Sequence, residues 1–507
     1  MKPFSQHTPL APNFLLHHHS SKRVREREMC SFSFALHHLL PTIVIVIIII
    51  IIIIINPSPV FSSTQQHPTK NQPNKTLASS MEPLELETLF KIMETLSSDL
   101  DWRVSYPNPC RPGSSWPGIE CKYTPTDDSH LHVTRLDFGT PPNPSCSKSA
   151  SFPSEIFQLP HLESIFIYHC FSHTPTRILL PSNKPFNDSP LQQLSFRSNS
   201  ALIGPIPPQI SSLNSLQILT LSQNGLTGRI PVQIFSLSSL LHLDLSYNTL
   251  TGSIPMQVGN IKNLVGLDLS YNKLVGQIPS AIGELRVVQK LDLSSNSLTG
   301  SIPDTIEHLR SLVFLAMSNN RLGGPFPRGL TGLRNLQYFL MDDNPMFVSL
   351  PLELGELKKL QELRLSNSGY SGTIPSEYSQ LMNLSSLSLQ NNRLSGHIPS
   401  GFANLSHIFH MNLSRNFLDG VVPFDSGFLK RLGRNLDLRG NPGLCLSPSA
   451  VDGINNNIGV DVCGNRKTGS SIIKPLKKSD ASLKCSNSIL LFFLDCLLCL
   501  FVFLKLL

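Results

Sequence analysis

A motif of the form Leu-x-x-Leu-x-Leu-x-x-Asn returns every 24 residues through the middle of the chain, and so short a period leaves few folds open. It reads LQILTLSQN at 216–224, LLHLDLSYN at 240–248, LVGLDLSYN at 264–272 and VQKLDLSSN at 288–296, then continues through Asn320, Asn344, Ser368, Asn392 and Asn416. Steps of 25 residues reach Asn199 on one side and Asn441 on the other, making eleven units. One unit cannot bury its own leucines, whereas a stack shares a continuous core, so the 507 residues hold one repeated body rather than several separate domains. The alternation within each unit turns the leucines to one face of a short strand and the intervening residues to solvent. Asn carries both a donor and an acceptor, which suits it to backbone groups of adjacent coils where water is excluded. Ser368 at that position is a weaker substitute and predicts local softening. With strands ~4.8 Å apart, ten intervals predict a concave sheet on the order of 48 Å long.

This is the pattern of a leucine-rich repeat, and each Asn is followed by a second signature, Leu-x-Gly-x-Ile-Pro. It places Pro at 231, 255, 279, 303, 327, 351, 375, 399 and 423, with Gly at 228, 252, 276, 300, 324, 372, 396 and 420 where a positive-φ turn is expected. Val348 breaks the glycine series. Upstream, VTRLDF (133–138) and LESIFIYHC (162–170) match the strand pattern less regularly, and the insertion 175–190 precedes the first strict unit. Apolar residues at 86, 89, 90, 93 and 96 predict a covering helix within 81–102.

The two ends set the compartment. Residues 42–55 form an apolar run of 14, shorter than the ~20 residues a spanning helix needs, and follow Lys22, Arg23, Arg25 and Arg27. The run reads as a signal-peptide core or as an uncleaved anchor, with Met29 as an alternative start, and either reading sends the bulk of the chain outside the cytosol. Residues 489–507 are apolar apart from Asp495, Lys505 and two cysteines, which fits a membrane span or a removable lipid-anchor signal. Sequons at Asn74, Asn187, Asn383, Asn404 and Asn412 agree with export and glycosylation. The organisation is a leader at 1–63, a linker at 64–80, an N-terminal cap at 81–130, irregular repeats at 131–190, regular repeats at 191–441, a C-terminal cap at 442–465, a basic linker at 466–488 and the tail at 489–507.

Catalytic signatures are missing. There is no phosphate-binding GxxxxGK[ST], no GxGxxG after a strand, no HExxH and no GxSxG, and the 44 residues after Cys463 are too few for a kinase. A metal site among His130, His132, His161, His169 and His173 is outweighed by their reading as surface histidines of the irregular units. The 41 Lys and Arg against 34 Asp and Glu, a net +7, predict no basic stripe able to track a phosphate backbone. The expectation is a non-enzymatic binding protein with no cofactor and no nucleic-acid partner.

A concave sheet offers its exposed columns to a ligand. Asp244, Asp268 and Asp292 stack in one column, but Asp-Leu-Ser is the common form of this repeat and reads as structural. Departures from the repeat are more informative: Phe314 and Tyr338 share a column, Asp342 and Asp343 replace the usual polar pair, and Glu362 with Arg364 follows. With Leu340, His410 and Arg415 they make an aromatic and charged patch of the composition expected in binding anchors.

The Leu-x-Gly-x-Ile-Pro element resembles the plant type of leucine-rich repeat, and the order helix, Trp102, Pro109-Cys110, then WPGIEC ending at Cys121 resembles the N-terminal cap of plant repeat receptors. Over 81–465 the chain resembles plant leucine-rich-repeat receptor-like proteins that lack a kinase. The resemblance implies an α/β solenoid, a right-handed superhelix of 24-residue repeats closed by N- and C-terminal disulfide caps. In an exported chain Cys110 is expected to pair with Cys121 and Cys445 with Cys463, the alternative being free buried thiols; Cys146 and Cys170 are a further candidate pair. The resemblance also implies a protein at the outer face of the plasma membrane that binds a peptide or protein and signals, in defence, symbiosis or development, through a partner receptor kinase of the same repeat class. A second reading is a secreted inhibitor of a microbial cell-wall-degrading enzyme.

Overall fold

The computed structural model describes residues 81–464 except 98–99, 112–115, 125–126, 181–187 and 451–457, all within one compact unit spanning 75–468. The leader, the basic linker, the tail, Asn74 and Asn187 lie outside the described residues.

The repeat folds as its spacing predicts. A 14-stranded sheet runs the length of the unit; from the strand Asp127–Phe138 to Leu436–Asp437 every neighbouring pair is parallel. Its pairing keeps equivalent repeat positions in register, so Leu219, Leu243, Leu267, Leu291 and Leu315 form one buried row. Behind the sheet most coils return through a short 3₁₀ helix opened by the repeat proline, as in Val232–Ser236 after Pro231 and Ser280–Glu284 after Pro279, whereas the coil of Pro327 starts its helix after Gly329 and that of Pro423 uses the α-helix Ser426–Leu432. Proline supplies the φ needed there and surrenders a donor that the helix start leaves unused.

The asparagine positions behave as the sequence argument requires. Asn272 donates from Nδ2 to the carbonyls of Leu245, Leu269 and Ser270 at 3.0–3.2 Å and accepts from Leu250 N–H at 3.0 Å, linking its own coil to the one before. Ser368 reaches less: its Oγ accepts from Asn344 N–H and donates to Ser366 O at 2.8 Å, with a longer contact of 3.4 Å to Met341 O. The residue before each of these positions takes a positive φ and, except for Gly440, is not glycine, as in Tyr247 (53°), Tyr271 (51°), Asp343 (57°) and Arg415 (55°). Its N–H bonds the next coil, Tyr271 to Ser294 O and Asp343 to Ser366 O, which holds the unfavourable backbone in place and leaves these four side chains exposed at the rim of the sheet.

The Leu-x-Gly segments build the flank. Six strands from Ile203–Pro205 to Arg321–Leu322 form one sheet and four from Ser371–Gly372 to Gly443–Cys445 form another. The interruption falls on the coil with Val348 in place of glycine, where Pro345 has no N–H to give and only the bridge Ser349 to Ser371 remains. At the regular coils Gly228, Gly252, Gly276 and Gly300 have φ of 79–82°, a conformation Val348 would enter only under strain.

At the N-terminal end the helix Pro83–Leu96 buries Leu89, Phe90, Ile92, Met93 and Leu96 against the first coil. Glu85, 2% exposed, was not foreseen: it accepts from Val133 N–H at 2.8 Å and meets His132 Nδ1 at 2.7 Å, tying the cap to the first repeat strand. The strand Asp127–Phe138 runs across residue 130, pairing backwards with Ile119–Thr124 and forwards with the first irregular repeat, so cap and repeat share it. Cys110–Cys121, Cys146–Cys170 and Cys445–Cys463 are all disulfides.

Candidate ligand-binding face

Register decides which side chains meet. His242, Gly266, Lys290, Phe314, Tyr338, Glu362, Ser386 and His410 occupy successive strands in one row, and Asp244, Asp268, Asp292, Ala316, Leu340, Arg364, Ser388 and Asn412 occupy the next. The sequence-derived patch is therefore real as a neighbourhood from Phe314 to Arg364. His410 lies two strands beyond Glu362, and Arg415 sits exposed on the rim past it, so neither joins that cluster.

Several members of the patch are packed rather than presented. Phe314 and Tyr338 are 9% and 7% exposed, with ring centroids 6.1 Å apart and the Tyr338 hydroxyl donating to Gln361 Oε1 at 3.0 Å. Asp342, expected at the binding patch, is buried at 2% exposure. Its buried carboxylate accepts from Ser366 N–H at 2.8 Å, from Ser366 Oγ at 2.5 Å and from Arg364 Nε at 2.7 Å. The reason is visible in neighbouring coils, where the column aspartate caps the serine two residues on, as Asp268 caps Ser270 N–H at 3.1 Å. In the coil of Ser366 that column residue is Arg364, and Asp342 supplies the missing cap from one coil earlier. Arg364, with a third of its side chain exposed, lies 4.0 Å from Glu362. Asp343 stays exposed, its carboxyl pushed up by burial and by Asp342.

The aspartate column keeps its structural duty but gains an unforeseen cation. Asp244 and Asp292 cap Ser246 and Ser294 N–H, both at 3.0 Å, while Lys290 Nζ reaches Asp268 at 2.9 Å and lies 5.9 Å from the Phe314 ring. Burial opposes the Lys290 charge, yet Asp268 and its neighbours hold the ammonium above its ordinary range. Asp292 is pushed up to about 6 by burial and by Asp268. His242 leans across Gly266, where an added Cβ would stand 2.7 Å from its Nδ1, and burial together with Lys290 lowers its pKa. Beside this stretch Tyr247 and Tyr271 stack with centroids 4.1 Å apart and planes within 9°, each nearly half exposed. Tyrosine at the same repeat position in two adjacent units was the signal that sequence reasoning passed over.

Asn383 and Asn404 are exposed on the outer part of their coils, whereas Asn412 lies in the concave sheet with its Oδ1 accepting from Ser414 N–H and Oγ. Three of the N-terminal histidines gather: His132 is engaged by Glu85 with its ring centroid 4.0 Å from that of His161, and Asp127 lies 3.0 Å from His130 and 3.4 Å from His132, yet among the described residues no group of three His, Cys, Asp or Glu is placed to hold a metal.

Comparison with known proteins agrees with this geometry. Leucine rich repeat family models match residues 214–274, 262–322, 286–346 and 383–405. Over 149 residues the chain is 65% identical to Receptor like protein 29 of Arabidopsis thaliana, covering 29% of this chain and 31% of that one. Over 142 residues it is 35% identical to Protein TOO MANY MOUTHS of the same plant, covering 27% of each. These matches span about a third of the curated relatives' length. Among solved structures, PEPR1 with AtPEP1 gives a TM-score of 0.58 at 28% identity, covering 72% of this chain and 51% of that one. The plant peptide hormone receptor RGFR1 in complex with RGF2 gives 0.53 at 29%, covering 65% and 50%.

Proposed function

We propose, from the premise that this chain is a leucine-rich-repeat protein of the plant receptor-like kind, that its concave face binds an extracellular peptide or protein and that the complex engages a partner receptor kinase. One observation carries the reading. From His242 to Arg364 the concave columns replace the common repeat residues with histidine, lysine, aromatics and a paired arginine, held in register on a rigid sheet. Such a surface offers polar contacts, with the half-exposed Tyr247 and Tyr271 beside them, whose ordering entropy the fold has already met, the condition under which a flexible peptide is held well. The structures of RGFR1 with RGF2 and PEPR1 with AtPEP1 support the same use of a similar fold. The role is binding rather than catalysis, and it places the protein at the outer face of the plasma membrane with Asn383 and Asn404 as glycan acceptors away from the sheet.

The test uses the full chain, tagged after residue 80, at the surface of plant cells supplied with extracellular fluid. Photocrosslinkers are placed at Leu340 or Ser388 on the sheet, or at Met256 on the outer surface. Peptide adducts at the sheet positions, together with adduct-dependent recovery of a receptor kinase, are expected. Equal labelling at Met256, or recovery of the kinase without any adduct, sinks the reading.

A further inference from the structure

The repeat sets a second row of residues in register, away from the concave columns. Each coil leaves its 3₁₀ helix through a tight turn, and five successive turns carry a basic residue at the same position: Lys262, Arg286, Arg310, Arg334 and Lys358, all exposed. With 41 Lys and Arg in 507 residues, five in succession at one repeat position is far from what composition delivers. The turns share a backbone conformation, since Lys262, Arg310, Arg334 and Lys358 each donate N–H to the carbonyl two residues back at 2.8–3.0 Å. Two of their carbonyls are also bonded from the next coil. Asn335 Nδ2 donates to Arg310 O at 2.8 Å and Asn383 Nδ2 to Lys358 O at 2.7 Å, as Asn263 does to Ser238 O at 3.1 Å at the equivalent position upstream.

The turns of this ridge are thus bonded to the next coil at Arg310 and at Lys358, while all five basic side chains are exposed. At the ends Lys262 meets Glu284 at 3.0 Å and Lys358 donates to Gln380 Oε1 at 2.7 Å. In the centre the guanidinium groups of Arg286, Arg310 and Arg334 make no hydrogen bond and no close ion pair among the described residues, although the charge of Arg286 is felt by Glu284. Three like charges one coil apart repel each other, and apart from the attraction of Arg286 to Glu284 no close opposite charge among the described residues offsets this. A net charge of +7 gives no sign of this row, which folding assembles from residues 24 apart.

We propose that this ridge binds a linear polycarboxylate of the polyuronic acid kind along the solenoid axis. Guanidinium groups pair in bidentate fashion with carboxylates, and a row of them one coil apart, ~4.8 Å, matches a chain with one acid group per sugar ring. The row is one residue wide and bordered by the exposed Glu307 and Glu356, so a broad anionic surface such as a lipid bilayer meets like charges on contact. An extended acidic peptide presents like-facing side chains only every ~6.8 Å and falls out of step within three coils. The site is separate from the concave face and stands whether or not that face binds a peptide.

The experiment measures binding of the full-length protein to a galacturonate oligomer long enough to span five coils, across a range of salt. Saturable binding that weakens with salt is expected. The triple variant Arg286→Gln, Arg310→Gln, Arg334→Gln should bind about tenfold more weakly, three exposed ion pairs of ordinary strength. The triple variant Arg229→Gln, Lys273→Gln, Arg321→Gln removes the same charge from the exposed flank and should bind as the parent does. The proposal is overturned by absence of binding, by equal losses in both triple variants, or by tighter binding to polyglutamate or to phosphatidylserine vesicles that the ridge variant abolishes.

Discussion

Replacing Asp342 with alanine tests the claim that one coil repairs its neighbour. The substitution removes the acceptor for Ser366 N–H, the partner of Ser366 Oγ and the partner of Arg364 Nε. Ser366 is 3% exposed, so its stranded N–H dominates at about 1–3 kcal/mol, whereas the ion pair to the partly exposed Arg364 adds about 1 kcal/mol at most. A loss of about 2–4 kcal/mol is expected. The informative variant is the double substitution Asp342→Ser with Arg364→Asp, which recreates the arrangement of Asp268 and Ser270, where the aspartate caps the serine within one strand at 3.1 Å. It should recover most of the loss although it places a new carboxylate on the face. A stacked solenoid opens in parts, so the readout is native-state hydrogen exchange at the Ser366 amide and proteolysis between 338 and 392 rather than one global midpoint. If the double variant exchanges as fast as Asp342→Ala, the capping account is wrong and Asp342 is held for another reason.

Three further outcomes follow from the same geometry. Asn272→Ala strips three donated bonds and one accepted bond from a buried turn and should lower stability by about 2–3 kcal/mol in urea unfolding, against less than about 0.5 kcal/mol for the exposed Asn263→Ala. Asp292 holds its proton up to about pH 6 in the folded chain, above its unfolded value, so its contribution to stability falls as pH rises from about 4 through 6. Asp292→Asn keeps the cap on Ser294, as Asn412 keeps that on Ser414 at 3.1 Å, and should gain on the order of 1 kcal/mol over the parent at pH 7 and nothing at pH 4; a variant weaker than the parent at pH 7 contradicts this. Reducing Cys445–Cys463, which closes a segment with a separation of 18 residues, should destabilise the C-terminal end by about 3 kcal/mol, seen as faster exchange at Leu438 and Leu446 with the central coils unchanged.

The sequence by itself determined the solenoid, because each unit needs its neighbour for a core and a fixed period allows only one way of stacking. Strand positions, the asparagine turns, the glycine flank and its interruption at Val348, and the outer disulfide pairs were legible for that reason. The helix Pro83–Leu96 was legible too, since its apolar spacing is local. What the period could not carry was compensation between coils. Asp342 and Arg364 looked like neighbouring departures offered to a ligand, but Asp342 is consumed in capping Ser366, a relation that exists only when two coils stack. Lys290 sits in an unremarkable repeat position until Asp268 and Phe314 arrive beside it from either side. Glu85 becomes a buried anchor only when Val133 and His132 are brought to it across 47 residues of chain. The ridge of Lys262 to Lys358 shows the same division: its five residues are read one by one from the period, while their union into a charged line depends on the stacking of successive coils. Electrostatics depends on distance in space, and composition averages that distance away.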